Sequence, residues 1–241
     1  MGALSDVKVL DLTRVLAGPY ATMMLADLGA EIIKIEMPGK GDDSRAYGPY
    51  RNGESAYFMS INRNKQSMTL NLKAPEGKEI LKELIQHVDV LVENFRPGTM
   101  ERLGLGFDVL HELNPRLIYA ASTGYGQTGP YSQRPAYDAV VQAMGGIMSI
   151  TGSENGVPTR VGSSIGDIIA GLFLAFGILA ALHERSRSGL GQLVDVAMLD
   201  GQVAILENAI SRFEVTGVVP KPIGNRHPSI VPFEPFDTLT D

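Results

Sequence analysis

Asp167 closes the run Val161-Gly162-Ser163-Ser164-Ile165-Gly166-Asp167, and fifteen residues without a charge or hydroxyl follow it, Ile168 to Leu182. A carboxylate at the mouth of an apolar helix has two uses. It can cap: Ser164 as N-cap with Asp167 three residues on has the spacing of a capping box, Asp taking the place of the usual Glu or Gln. It can also react. Burying a carboxylate is costly unless something compensates, and the N–H groups and positive dipole end of a helix can do so. A carboxylate kept ionised yet shielded from water is a usable nucleophile or base. Caps are the commoner use, so the surroundings of Asp167 must decide.

A second group of residues falls at the ends of predicted strands: Val15 to Pro19, Asn94-Phe95-Arg96-Pro97-Gly98, Arg102 and Tyr137. In an open parallel sheet the loops after the strands' carboxyl ends form the ligand crevice. Phe95 or Tyr137 could stack on a flat ring, and Arg102 and Lys73 could meet phosphates. Each alone reads equally as a loop or surface residue. Together they describe a crevice for a large, anionic, aromatic ligand. Gly124-Tyr125-Gly126-Gln127-Thr128-Gly129 matches the dinucleotide fingerprint in spacing, but Pro130 and Tyr-Ser-Gln-Arg-Pro follow where a helix should open, so it reads as a turn. The four histidines (His87, His111, His183, His227) lack metal-ligand spacing, and with no cysteine there is no disulfide, thiolate metal site or cysteine nucleophile.

The elements that must position these residues alternate. Lys8 to Leu12, Ile32 to Glu36, Ser67 to Leu72, Val90 to Glu93, Leu117 to Ala121 and Leu193 to Met198 read as strands. Pro19 to Leu28 reads as a helix opened by Pro and stopped by Gly29, and Pro75 to Val88 as an amphipathic one. Tyr137 to Ile150 and Ser163 to Glu184 read as buried helices. The loop from Met37 to Glu54 is too long for a simple connection, which suggests a function. This is the pattern of an α/β fold with an open parallel, Rossmann-like sheet flanked by helices. Beyond Thr216 periodicity is lost, and Pro220 to Asp241 holds five prolines, as a linker would.

Composition sets the outer limits. The chain has 241 residues, 44% hydrophobic and 20% charged, with a net charge of −6. It reads as a soluble globular protein, with no nucleic-acid or membrane partner expected. Met1 to Asp6 shows no signal-peptide pattern, and a cytoplasmic setting is expected. The apolar run after Asp167 is shorter than the roughly 20 residues needed to cross a bilayer.

The same segments carry a family resemblance. Val9-Leu10-Asp11-Leu12-Thr13-Arg14-Val15-Leu16-Ala17-Gly18-Pro19 and Gly29-Ala30-Glu31-Ile32-Ile33-Lys34-Ile35-Glu36 resemble the start of the family III CoA-transferases, the formyl-CoA and carnitine CoA-transferase group. Asn62-Arg63-Asn64-Lys65, Leu70 to Gly77, Glu93 to Gly98, Gly124-Tyr125-Gly126, Gly166-Asp167 and Gly191 to Gly201 continue it in order. The resemblance implies that Asp167 is the nucleophile. It would form aspartyl anhydride and aspartyl-CoA thioester intermediates as CoA moves from an acyl-CoA donor to a carboxylic acid. It implies coenzyme A contacts at Val15, Leu16, Ala17, Met37, Leu70, Lys73, Asn94, Phe95, Arg102, Leu103, Tyr137 and Met198, with CoA as substrate and no tightly bound cofactor or metal. It further implies an intertwined homodimer, with residues 1–216 as a CoA-binding large domain and 217–241 as a linker toward a smaller domain absent from this chain. The family's Gly-rich loop is expected in that absent part. The formyl-CoA transferase pattern has glutamine in place of Leu16 and arginine in place of Met37, which argues against an oxalate/formate pair and removes one adenine contact; Lys40 or Arg45 could substitute. Two alternatives remain: an α-methylacyl-CoA racemase, or a non-catalytic acyl-CoA-binding fragment. The racemases place histidine where Tyr137 stands, and tyrosine, with an ordinary pKa near 10, is a poor acid–base partner at neutral pH.

Overall fold

The structure, a computed structural model, describes residues 2–239. Six parallel strands form one sheet: β1 (Lys8–Asp11), β2 (Glu31–Glu36), β3 (Lys65–Thr69), β4 (Val90–Glu93), β5 (Ile118–Thr123) and β6 (Leu193–Ala197). Their spatial order is β3-β2-β1-β4-β5-β6, the doubly wound arrangement whose order reverses between β1 and β4. A small antiparallel hairpin pairs Tyr50–Arg51 with Glu54–Ser55.

Strand residues alternate between two apolar layers, as the two-residue period of a strand requires. Val9, Val90, Val92, Ile118 and Ala120 pack with α1 (Ala17–Asp27) on one face. Leu10, Leu91, Tyr119 and Ala121 pack on the other. That second face is covered by α3 (Pro75–Ile85), α4 (Thr99–Leu103) and α5 (Phe107–Leu113), while the short α2 (Ala56–Ile61) lies beside the 37–54 loop. After β5 come α6 (Asp138–Met144), α7 (Ile147–Ile150) and the long α8 (Ile165–Ser188). α9 (Met198–Ala204) and α10 (Ala209–Thr216) follow β6, and no helix or strand follows Gly217 among the described residues.

Two expectations about helices are corrected. The single helix expected over 137–150 is broken at Gly145-Gly146. A Cβ on Gly145 would lie 2.4 Å from the Gln202 side chain of α9, and Gly146 takes φ +92. Close packing and a left-handed turn therefore replace helical continuity. The expected buried helix after Ser163 is buried along one face only. Ala170, Leu174, Ile178 and Ala181 pack against the sheet and α1, whereas Leu172, Phe173 and Phe176 are exposed. At 24 residues α8 is long and apolar enough to cross a membrane by length and composition. Its inner face is instead committed to the sheet, where each fully buried Leu or Ile contributes about 1.5–3 kcal/mol.

Candidate active site

The loops leaving β1 and β4 meet where the strand order reverses. Asn94 clamps the first of them: Arg14 N–H donates to its Oδ1 and its Nδ2 donates to Arg14 O, both at 2.8 Å. Val15 then takes φ +68, a left-handed conformation that is costly for a β-branched residue. Its N–H donates to Asp42 Oδ1 at 3.2 Å. Strain held by partners on two other segments is characteristic of functional sites.

Asp42 belongs to a buried charge network below this loop. Lys34 Nζ lies 2.9 Å from Asp42 Oδ2 and donates to Thr13 O at 2.7 Å. Lys65 Nζ donates to Asp11 Oδ2 at 3.1 Å, and the Thr13 and Thr22 hydroxyls donate to the same carboxylate. Burial alone would raise the Asp11 pKa, but Lys65, Lys34 and those hydroxyls hold it well below the usual range. Arg45 grips Glu36 through two 2.7 Å hydrogen bonds. Against the effect of burial, Arg45 and the Ser67 hydroxyl hold Glu36 at about 2. Arg45 is thus engaged and is not free to replace the missing arginine at Met37; Lys40 pairs with Asp43 at 2.5 Å.

Above the network lie two adjoining hollows of about 390 and 320 Å³, sharing Arg14, Asp43 and Phe95. The Arg14 guanidinium sits 5.2 Å from the Phe95 ring centre on the ridge between them. The first hollow takes Val15, Leu16, Ala17, Asn94, Tyr137, Met198 and Asp167 of the sequence candidates; the second takes Met37, Leu70, Lys73 and Leu103. Only Arg102 lines neither. It is exposed and donates to Thr99 Oγ1 at 3.0 Å, one turn from Leu103. Glycines 124–129 form a turn with no helix opening on Gly129. Hollows of this size fall within the range of small-molecule binding sites.

Asp167 stands in the first turn of α8, half-buried, but not as a cap. Ser164 occupies the N-cap position without a side-chain hydrogen bond, so the expected capping box does not form. The carboxylate that meets the helix end is Asp138, from the first turn of α6, whose Oδ1 accepts from Gly166 N–H at 2.8 Å. Asp138 is steadied by Gln142 at 2.8 Å and Arg160 at 3.3 Å. Burial first, and the Asp138 charge second, push Asp167 up to about 7. The expectation of a carboxylate held fully ionised by helix amides is therefore corrected: Asp167 is poised between its two protonation states at neutral pH.

Asp138, Tyr47, Tyr57, Ser122 and Thr123 were not singled out in the sequence. All but Tyr57 line the first hollow. Tyr57 stands edge-on to Tyr47, ring centres 5.7 Å apart. Burial and then the Asp167 charge raise its pKa. An acidic residue directly after Tyr137 and opening a helix was the available signal for Asp138; Tyr47 had only the unusual length of the 37–54 loop, and Tyr57, in the short α2 beyond it, had none.

Residues 4–241 match the family described as CoA-transferase family III. An acetyl-CoA:oxalate CoA-transferase from Acetobacter aceti is 51% identical over 98% of this chain and 61% of its own length. A succinyl-CoA:glutarate CoA-transferase from Mus musculus is 48% identical over 99% of this chain and 55% of its own length. A CAIB/BAIF family protein from Brucella suis superposes with a TM-score of 0.91 at 41% identity, covering 97% of this chain and 63% of that one. The chain thus spans less than two thirds of these relatives, while matching them along nearly all of itself. With the family match over nearly all of the chain and the close superposition of the doubly wound sheet, the chain belongs to CoA-transferase family III.

Proposed function

We propose that the protein transfers coenzyme A from an acyl-CoA donor to a carboxylic acid, with Asp167 as nucleophile. The observation that carries this reading is an unpaired, half-buried carboxyl at the wall of a hollow that continues into a second, more apolar one. An Asp167 oxygen attacks the thioester carbon, the C–S bond breaks, and CoA thiolate leaves an aspartyl anhydride. The thiolate attacks the aspartyl carbonyl, giving an aspartyl-CoA thioester and the first acid. The incoming carboxylate repeats the sequence in reverse. Each step exchanges acyl groups of similar energy, which suits a carboxylate nucleophile.

The second hollow would hold the adenine end between Leu70, Leu103 and Phe95, with Lys73 toward phosphate. Arg14, Arg96 and Arg134 line the first hollow, and guanidinium groups pair well with carboxylates. The acids in the relatives' names, oxalate and glutarate, are dicarboxylates, so a dicarboxylic acid is the proposed substrate class. Racemisation fits less well, since Tyr137 stands where the racemases carry histidine, and a phenol is a weaker acid–base partner than an imidazole. The exposed Leu172, Phe173 and Phe176 of α8 support an assembly in which further chain length and a second subunit cover this face. Residues 217–241, of which 240 and 241 lie outside the described residues, are read as the linker toward that additional part.

The experiment uses the full-length protein. It is incubated with a panel of mono- and dicarboxylic acyl-CoAs, quenched with hydroxylamine or borohydride, and the modified residues are mapped by mass spectrometry. Modification confined to Asp167 and absent from Asp167→Ala supports transfer. Deuterium exchange at the α-carbon without an adduct would replace it with racemisation.

A further inference from the structure

Ser122, the penultimate residue of β5, is 3% exposed, and its Oγ has no hydrogen-bond partner among the described residues. It lines the first hollow together with Asp167, Asp138, Tyr137 and Met198. An unpaired buried hydroxyl costs stability, and each such group calls for an explanation in what the site does.

Strand geometry places this hydroxyl. Ile118 and Ala120 belong to the layer formed with Leu174, Ala175 and Ile178 of α8, whereas Tyr119 and Ala121 belong to the opposite layer. Ser122 continues the first set, so it faces the helix that carries Asp167 in its first turn. The neighbouring strand agrees. Ser122 is paired in register with Val196, and Val196 packs with Ala170 of α8, three residues beyond Asp167. Thr123 Oγ1 is also without a partner among the described residues but continues the other set, away from α8.

We propose that Ser122 is a further catalytic residue of the transfer reaction, an inference that rests on that reading of the site. Its Oγ–H donates a hydrogen bond to the carbonyl oxygen of the acyl group under attack by Asp167. When an Asp167 oxygen adds to the thioester carbon, the carbonyl π pair moves onto oxygen. As that pair returns, the C–S bond breaks and the sulfur leaves as CoA thiolate. The Ser122 proton remains on Oγ throughout, and its hydrogen bond strengthens as the oxygen gains charge. That difference between ground and transition state is what accelerates the step. The hydroxyl is left unpaired by the protein because the substrate oxygen is its partner.

The test compares wild-type, Ser122→Ala and Ser122→Thr forms of the full-length protein. Ser122→Ala is expected to lower kcat about 100-fold, with KM for acyl-CoA nearly unchanged. Single-turnover formation of the Asp167 adduct should slow by the same factor. Its Tm should be unchanged or higher, since a buried group without a partner has been removed. Ser122→Thr, which keeps a hydroxyl, should recover most of the rate. Turnover by Ser122→Ala within twofold of an active wild type overturns the proposal while leaving Asp167 transfer intact. A fall in both kcat and Tm that threonine does not rescue overturns it in favour of a structural role. A wild type inert toward every acyl-CoA overturns both readings together.

Discussion

Two groups of acidic residues, one held by the strands and the loop after β2 and one at the start of α8, are treated in opposite ways. Under the β1–β2–β3 half, Asp11, Asp42 and Glu36 are buried, and each faces a cation: Lys65, Lys34 and Arg45. Their pKa values are held down. At the start of α8, Asp167 has no cation partner among the described residues, feels the charge of a second carboxylate, Asp138, and is pushed up to about 7. Burial acts in the same direction on all four. The difference is the partner, which divides a charged framework from the carboxyl proposed as the nucleophile. A buried pair that is complete holds its loop still; a buried carboxyl left incomplete is available for chemistry.

The comparison can be broken most directly at Asp167. Asp167→Ala should reduce transfer on the order of 10⁴-fold or more, about 5.5 kcal/mol in barrier. Denaturation should show the fold intact. Retention of a tenth of the wild-type rate would remove Asp167 from the reaction. The network should answer in the opposite sense. Lys65→Met leaves the Asp11 carboxylate short of a cation and should cost about 3–5 kcal/mol of stability, read as a lower urea midpoint. An unchanged midpoint would mean that Asp11 is sufficiently held by Lys34 and its two threonines.

Smaller effects sharpen the contrast. Phe95→Ala removes the ridge between the hollows and should raise KM for acyl-CoA about tenfold with kcat nearly constant, as expected for lost stacking; steady-state kinetics across several acyl-CoAs checks this. The pH response of Asp167 has a definite sign. Its carboxyl is ordinarily near 3.8 and about 7 in the fold, so between these values the native state binds more protons than the unfolded state. Stability from this group is therefore greatest at low pH and falls as pH rises through that window. Asp167→Asn should flatten that slope in pH-dependent denaturation. Activity should run the other way, because the proposed nucleophile is the ionised form, and kcat/KM should rise through about pH 7. Asp138→Asn keeps an acceptor for Gly166 N–H but removes the charge, and should move this acid limb to lower pH. A limb that does not move would leave burial as the sole cause of the shift.

Much of this was legible in the sequence. All six strands were placed, with ends within a few residues, because alternating apolar residues and glycine or proline stops are local signals. Eleven of the twelve expected coenzyme A contacts line the two hollows, since loops after the carboxyl ends of parallel strands converge by topology. Helices α2, α4, α5, α9 and α10 were not anticipated; four of the five have fewer than eight residues, too short to show a helical period. Lys34 and Lys65, inside strands, carried no sign that their ammonium groups would be buried against Asp42 and Asp11.

The sequence by itself determined the alternation of strands and helices, the positions of the crevice-forming loops and the candidacy of Asp167, because those follow from short-range periodicity and chain connectivity. Only the tertiary structure decided what kind of acid Asp167 is. Its proton affinity depends on burial against the sheet and on Asp138, 29 residues earlier, which takes the α8 amide that Asp167 was expected to share. The same packing turned Ser122 toward α8 and left it without a partner. Electrostatic and hydrogen-bonding environments are sums over neighbours distant in sequence, and they exist only once the chain has folded.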